Sequence, residues 1–126
     1  MALVLVIDDD AKLRRTMRRI LEADHSVLDA ADGRAGLKLV HQHRPALVVT
    51  DILMPEKEGL ETIREMRLLY PGMKIIAISG SGISHGPPSF LAAAQALGAD
   101  AILEKPFHID ELLGMVNELL SSSTPA

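Results

Sequence analysis

Five short strand-like runs, four of them closed by a polar or charged residue and the second weaker, with Val27 and Leu28 its only large apolar residues, alternate with segments of helical spacing and leave this chain very few folds. The runs are Leu3 to Ile7, Ser26 to Ala30, Ala46 to Thr50, Lys74 to Ser79 and Ala101 to Glu104. The first, third and fourth are nearly continuous rather than alternating, the pattern of strands covered on both faces. Between them apolar residues recur at helical steps: Leu13, Met17, Ile20 and Leu21, then Ala35, Gly36, Leu39 and Val40, then Leu60, Ile63, Met66 and Tyr70. The last segment is the clearest, with Ile109, Leu112, Leu113, Val116, Leu119 and Leu120 on one face. A short alanine-rich stretch, Phe90 to Leu97, reads as a further helix closed by Gly98. Strict alternation predicts an α/β fold: a doubly wound parallel sheet of five strands with five helices on its two faces. Right-handed crossovers restrict the strand order to a few possibilities.

In such a sheet the carboxyl ends of all strands share one edge, the edge where open α/β folds keep their ligands. The first strand ends in Asp8-Asp9-Asp10, the third in Asp51, the fourth in Ser79 and the fifth runs into Lys105. Carboxylates, a hydroxyl and an ammonium therefore converge. Two like charges about 4 Å apart repel by roughly 4 kcal/mol at an effective dielectric of 20, so three aspartates against one lysine call for a proton or a bound cation. Oxygen-only ligands that retain water suit Mg²⁺ better than Ca²⁺. With such an ion in place Asp51 can act as a nucleophile toward phosphorus. Lys105 and the metal would neutralise the transferring phosphoryl group, and Ser79 could hydrogen-bond one of its oxygens. Asp10, at the start of a helical segment, reads as an N-cap rather than a ligand.

Composition narrows the partners. At 126 residues the chain suits one domain, read as residues 1–120 with a flexible C-terminal tail over 121–126. The absence of cysteine excludes disulfides and thiolate metal sites. A net charge of -4 gives no reason to expect nucleic-acid binding by this segment. No apolar run has the length of a membrane span and the N-terminus lacks a basic signal region, so the expected setting is cytoplasmic.

Together, Leu5-Val6-Ile7-Asp8-Asp9-Asp10, Ala31-Asp32-Gly33, Thr50-Asp51-Ile52-Leu53-Met54-Pro55, Ser79, Leu97-Gly98-Ala99-Asp100 and Lys105-Pro106-Phe107 make the chain resemble the receiver domain of bacterial two-component response regulators over nearly its whole length. That resemblance implies a flavodoxin-like sheet in the order 2-1-3-4-5. It implies that Asp51 accepts a phosphoryl group from a histidine kinase or phosphotransfer protein, within a phosphorelay that alters a fused or separate output partner. It implies a Mg²⁺ site of Asp8, Asp9, Asp51 and the Leu53 backbone carbonyl, and a cis bond at Lys105-Pro106. In such domains the chemistry is self-phosphorylation and slow autodephosphorylation rather than turnover of a substrate.

Three departures from the family pattern stand out. Glu58-Gly59 replaces the usual Asp-Gly, Ile102 occupies the position of an aromatic switch residue, and the loop from Gly80 to Pro88 is long and breaker-rich. Those departures point to readout through that loop and the helix after it. Leu53 and Ser81 match the positions that flank the path of hydrolytic water, and neither supplies a good base, which implies a long-lived phosphoryl group. Two other classes fit the residues less well. A phosphatase-like hydrolase using Asp51 would need a second acid/base that the sequence does not offer. A degenerate, phosphorylation-independent interaction module would not need Asp9, Asp51, Ser79 and Lys105 together. His41 and His43, two apart, read as surface residues rather than metal ligands, and His25, His85 and His108 have no partner visible in the sequence. Arg14, Arg15, Arg18 and Arg19 read as a solvated helix face, one that could also meet a partner kinase, and the glycine-rich loop lacks the Gly-Lys-Ser/Thr of a nucleotide site.

Overall fold

The structure, a computed structural model, describes residues 2–52, 58–79 and 96–122. Strands β1 (Leu3–Ile7), β2 (Ser26–Ala30), β3 (Leu47–Asp51), β4 (Lys74–Ser79) and β5 (Ala101–Glu104) form one parallel sheet in the order β2-β1-β3-β4-β5. The order and the parallel pairing are those the alternation and the resemblance imply.

Four helices lie among the described residues: α1 (Ala11–Leu21), α2 (Gly33–His43), α3 (Glu58–Leu69) and α4 (Ile109–Ser122). The expectation of five is met only to this extent. The segment Phe90 to Leu97 falls almost wholly outside the described residues, with Ala96 and Leu97 alone seen, both helical. Leu53, Ser81 and the Gly80 to Pro88 loop also lie outside them. So does the end of the expected tail, while α4 carries the backbone through Ser122.

The near-continuous strands work as two-sided walls. Leu5 and Ile7 of β1, Val48 of β3 and Ile75 and Ala77 of β4 pack under α2 and α3, with Val40, Ile63 and Met66. The intervening Val4, Val6, Leu47, Val49, Ile76 and Ile78 face α1 and α4, with Met17, Leu21, Leu112 and Val116. Each fully buried aliphatic side chain contributes roughly 1.5–3 kcal/mol, so the fold rests on these two layers rather than on any surface pair.

Helix ends follow local chemistry. Asp10 caps α1, its Oδ1 accepting from the Lys12 and Leu13 amides at 3.0 and 3.2 Å. Asp32 caps α2 through the Ala35 amide at 2.8 Å. The C-cap of α2 is Arg44, held at φ 49° in the left-handed region that glycine usually fills, just ahead of Pro45. Its guanidinium lies 4.9 Å from the centre of the Tyr70 ring, a cation–π contact that fastens this turn to the end of α3. Where α2 crosses β1, Gly36 leaves space for Ile7: a Cβ there would come within 2.3 Å of Ile7 Cδ1. The Asp10 and Asp32 caps and the close crossing fix the loops at the carboxyl edge of the sheet, where the acidic residues stand.

Candidate phosphoacceptor site

The ends of adjacent strands β1 and β3 place Asp8 and Asp51 side by side, and the fold buries both, Asp8 completely and Asp51 to 3% exposure. Asp9, one residue on, is exposed. One carboxylate oxygen from each of the three lies within 4.8 Å of the others. Lys105, which follows the edge strand β5, reaches past the end of β4 to donate to Asp51 Oδ2 at 2.9 Å, and its Nζ stands 3.5 Å from Asp8 Oδ2. The Lys105-Pro106 bond is cis. Ser79 ends β4 at the same edge, its backbone paired with Glu104. The structure thus brings together Asp8, Asp9, Asp51 and Lys105, with Ser79 at the adjoining strand end; Leu53 lies outside the described residues.

The charges do not balance. Asp8 Oδ1 accepts from the Asp10 amide at 2.8 Å, but Oδ2 is a buried oxygen that accepts no hydrogen bond. Burial, helped by the charges of Asp51 and Asp9, raises the Asp8 carboxyl above its ordinary 3.8, against the opposing pull of the Asp10 amide and Lys105. Burial by itself would lower the Lys105 ammonium, yet the hydrogen bond and charge of Asp51, with Asp8, hold it above 10.5. A buried carboxylate oxygen without a donor, beside two further carboxylates, is the donor set a hard divalent cation fits.

One contributor was not legible as such. Arg14, read as part of a solvated face, is half-buried, and its Nη1 donates to the Asp8 backbone carbonyl at 2.7 Å, pinning the end of β1. Its place in the first turn of a helix that starts at the strand end was the available signal. Arg18 is likewise engaged, with Glu22 at 3.0 Å and Asp29 of β2 at 3.2 Å. Only Arg15 and Arg19 of the four are fully exposed. Two histidines have partners the sequence did not show: His25 is buried between the Ala2 amide and Asn117, and His41, exposed as expected, hydrogen-bonds Tyr70.

A flavodoxin-like sheet thus carries an acidic triad and a lysine at its carboxyl edge, and the family comparisons place that arrangement among signalling domains. The family model for the response regulator receiver domain matches residues 4–117. The response regulator MprA of Mycolicibacterium vanbaalenii is 37% identical over 123 residues, which are 97% of this chain and 52% of that protein. A CheY-like receiver domain protein from Methanospirillum hungatei superposes with a TM-score of 0.89 at 29% identity, covering 98% of this chain and 96% of that one. NtrX from Brucella abortus gives 0.87 at 30% identity over 97% of this chain but 27% of its own length. The chain belongs to the response regulator receiver domain family of two-component systems. It spans about half the length of the curated relatives it matches. No helix among the described residues is long and apolar enough to cross a membrane.

Proposed function

We propose that this receiver domain is a phosphoacceptor whose nucleophile is Asp51. The observation that carries the reading is the convergence of Asp51 with Lys105 at 2.9 Å and with the donor-less Oδ2 of Asp8. An Asp51 carboxylate oxygen attacks the phosphorus of a phosphohistidine. A P–O bond forms, the P–N bond breaks, and its electron pair leaves with the imidazole of the donor, which takes up a proton. Lys105 holds Asp51 in place and offers its ammonium to a phosphoryl oxygen. Ser79 is the candidate hydroxyl for another of those oxygens. Arg14 holds the Asp8 backbone and so the geometry of the acidic pair. Asp8, Asp9 and Asp51, with the Leu53 carbonyl, would hold Mg²⁺. The ion's contribution when bound is charge neutralisation at the phosphoryl oxygens. The donor is a histidine kinase or phosphotransfer protein of the cytoplasm, and the phosphorylated form alters contacts with an output partner.

The test is acid-labile phosphate after incubation with a small phosphodonor and Mg²⁺, in the wild type and in Asp51→Asn. Phosphate confined to the wild type supports the assignment, and equal phosphate in both proteins overturns it.

A further inference from the structure

At the amino edge of the sheet, across the domain from the acidic residues, the ends of α2 and α3 leave a cleft of about 460 Å³. Arg44 and Pro45 stand on one side and Leu69, Tyr70 and Pro71 on the other, with Met73 where the chain turns into β4. Pro45 and Met73 are buried and make the floor. The rim is apolar and open: Leu69 is 52% exposed and its neighbour Leu68 71%, two of the three large apolar side chains left so open among the described residues. The wall beyond Tyr70 is fixed in place, since Arg67 donates to the Pro71 and Met73 carbonyls.

Arg44 is the one charged residue lining this cleft among the described residues. As the C-cap of α2 it needs only its backbone, whose N–H donates to the Val40 carbonyl, and its left-handed φ of 49° is a conformation that favours glycine. The side chain is therefore not what the cap requires. Its guanidinium lies over the Tyr70 ring, whose hydroxyl hydrogen-bonds His41, and belongs to no ion pair among the described residues. Glu61 and Glu65 of α3 line a separate groove further along, shared with Lys38 and His41 of α2. On a chain of net charge -4, an apolar concavity with a cation and no carboxylate is a local reversal.

We propose that this cleft docks a short acidic peptide segment of a partner protein. The segment sets a leucine- or phenylalanine-sized side chain on the Pro45 and Met73 floor and a carboxylate on Arg44. Charge selects the class: a basic or uncharged segment leaves the guanidinium unpaired at the contact, whereas a carboxylate meets it through two parallel N–H donors. Shape selects a peptide over an anionic bilayer, whose flat surface meets Leu68 and Leu69 but not the recessed floor. Because Tyr70 already holds the cation and Arg67 the opposite wall, little ordering is left for binding to impose. The cleft lies at the start of β3 and Asp51 at its end, so a partner seated there leaves the phosphoacceptor uncovered.

The test selects a display library of random short peptides on the whole chain, without phosphodonor. The binders are then synthesised and titrated by fluorescence anisotropy, with folding of every variant confirmed by circular dichroism. They should combine acidic residues with a leucine, phenylalanine or tryptophan, and their affinity should fall as salt rises. Leu69→Glu should weaken binding about tenfold or more, and Arg44→Gly to a similar extent. Glycine suits the left-handed cap, so Arg44→Gly removes the cation and keeps the fold. Ile109→Glu, on α4 across the sheet, should change nothing. An empty selection, binders without acidic residues, or acidic binders indifferent to Leu69→Glu and Arg44→Gly overturn the proposal. So does Leu69-dependent sedimentation with phosphatidylglycerol vesicles, which assigns the cleft to a lipid surface. Concentration-dependent dimerisation lost in Leu69→Glu overturns it as well, by assigning the cleft to a second copy. None of these readouts depends on phosphorylation, so failure here and failure of the phosphoacceptor reading are separate results.

Discussion

Replacing Asp8 by asparagine should make the metal-free domain more stable and its response to Mg²⁺ smaller. Attraction of the Asp8 carboxylate to Lys105, 3.5 Å away, is about 5 kcal/mol at an effective dielectric of 20. Repulsion from Asp51, within 4.8 Å, is about 3.5 kcal/mol on the same scale. Repulsion from exposed Asp9 is screened to below about 1 kcal/mol. These nearly cancel, which leaves the burial of a carboxylate oxygen with no donor, an effect of about 1–3 kcal/mol. Asparagine keeps an acceptor for the Asp10 amide and removes the charge, so a net gain of about 1–2 kcal/mol is expected. For 126 residues the unfolding entropy is about 0.26 kcal/mol/K, which converts that gain to about 4–8 °C in Tm. Mg²⁺ at tenfold its dissociation constant should raise the wild type by about 1.4 kcal/mol, or about 5 °C, and the variant far less.

The pH dependence follows from the sign of the shift. The folded protein keeps the Asp8 proton at pH values where the unfolded chain has released it. Ionisation of Asp8 therefore costs stability as pH rises from 3.8 through the raised folded value, and the deficit persists at neutral pH. The advantage of the variant should be full above the raised folded value, fade as pH falls from there toward 3.8, and be absent below it. Thermal melts in chelator and in Mg²⁺, across pH, check this. A variant that melts below the wild type in chelator at pH 7, or gains as much from Mg²⁺, refutes the reasoning.

Lys105 titrates above 10.5 in the folded state, so its contribution is complete below 10.5 and lost as pH rises through the raised value; urea titrations should show that alkaline loss in the wild type and not in Lys105→Met. Gly36→Ala gains helix propensity but drives a methyl into fully buried Ile7, and chemical denaturation should show a net loss of about 1–2 kcal/mol. If Leu53 and Ser81 leave hydrolytic water without a base, Leu53→Asn with Ser81→Glu should shorten the lifetime of acid-labile phosphate; an unchanged decay counts against that account.

The strands and their order were legible because burial on both faces leaves a plain mark, an unbroken apolar run, and because β–α alternation admits few topologies. Asp51 was legible from its place at the end of such a run, and the Asp10 cap from its place ahead of helical spacing. What stayed hidden are contacts that cross elements. The Arg14 bond to the Asp8 carbonyl depends on the angle between α1 and β1. The Arg18–Asp29 pair joins a helix to the edge strand β2, and His25 meets Asn117 from 92 positions away. Side-chain reach between elements has no periodicity, so no pattern in the chain records it. The span of Lys105 past β4 belongs to the same class and was anticipated only through a shared strand edge.

At the opposite edge of the sheet, all five N–H groups of Arg67 are used. Nε and Nη2 donate to the Gly98 carbonyl at 3.0 and 2.7 Å, Nη1 to the Pro71 and Met73 carbonyls at 2.6 and 2.9 Å, and Nη2 also to Asp100 at 2.6 Å. Gly98, at φ +120°, yields the space: a Cβ there would come within 2.6 Å of the Arg67 chain. Lysine at position 67 could serve at most three of these acceptors, and any larger residue at 98 would displace the guanidinium. The two positions thus constrain each other. A lineage that loses either must find a new way to tie α3 to β5, and drift at one is paced by what the other permits.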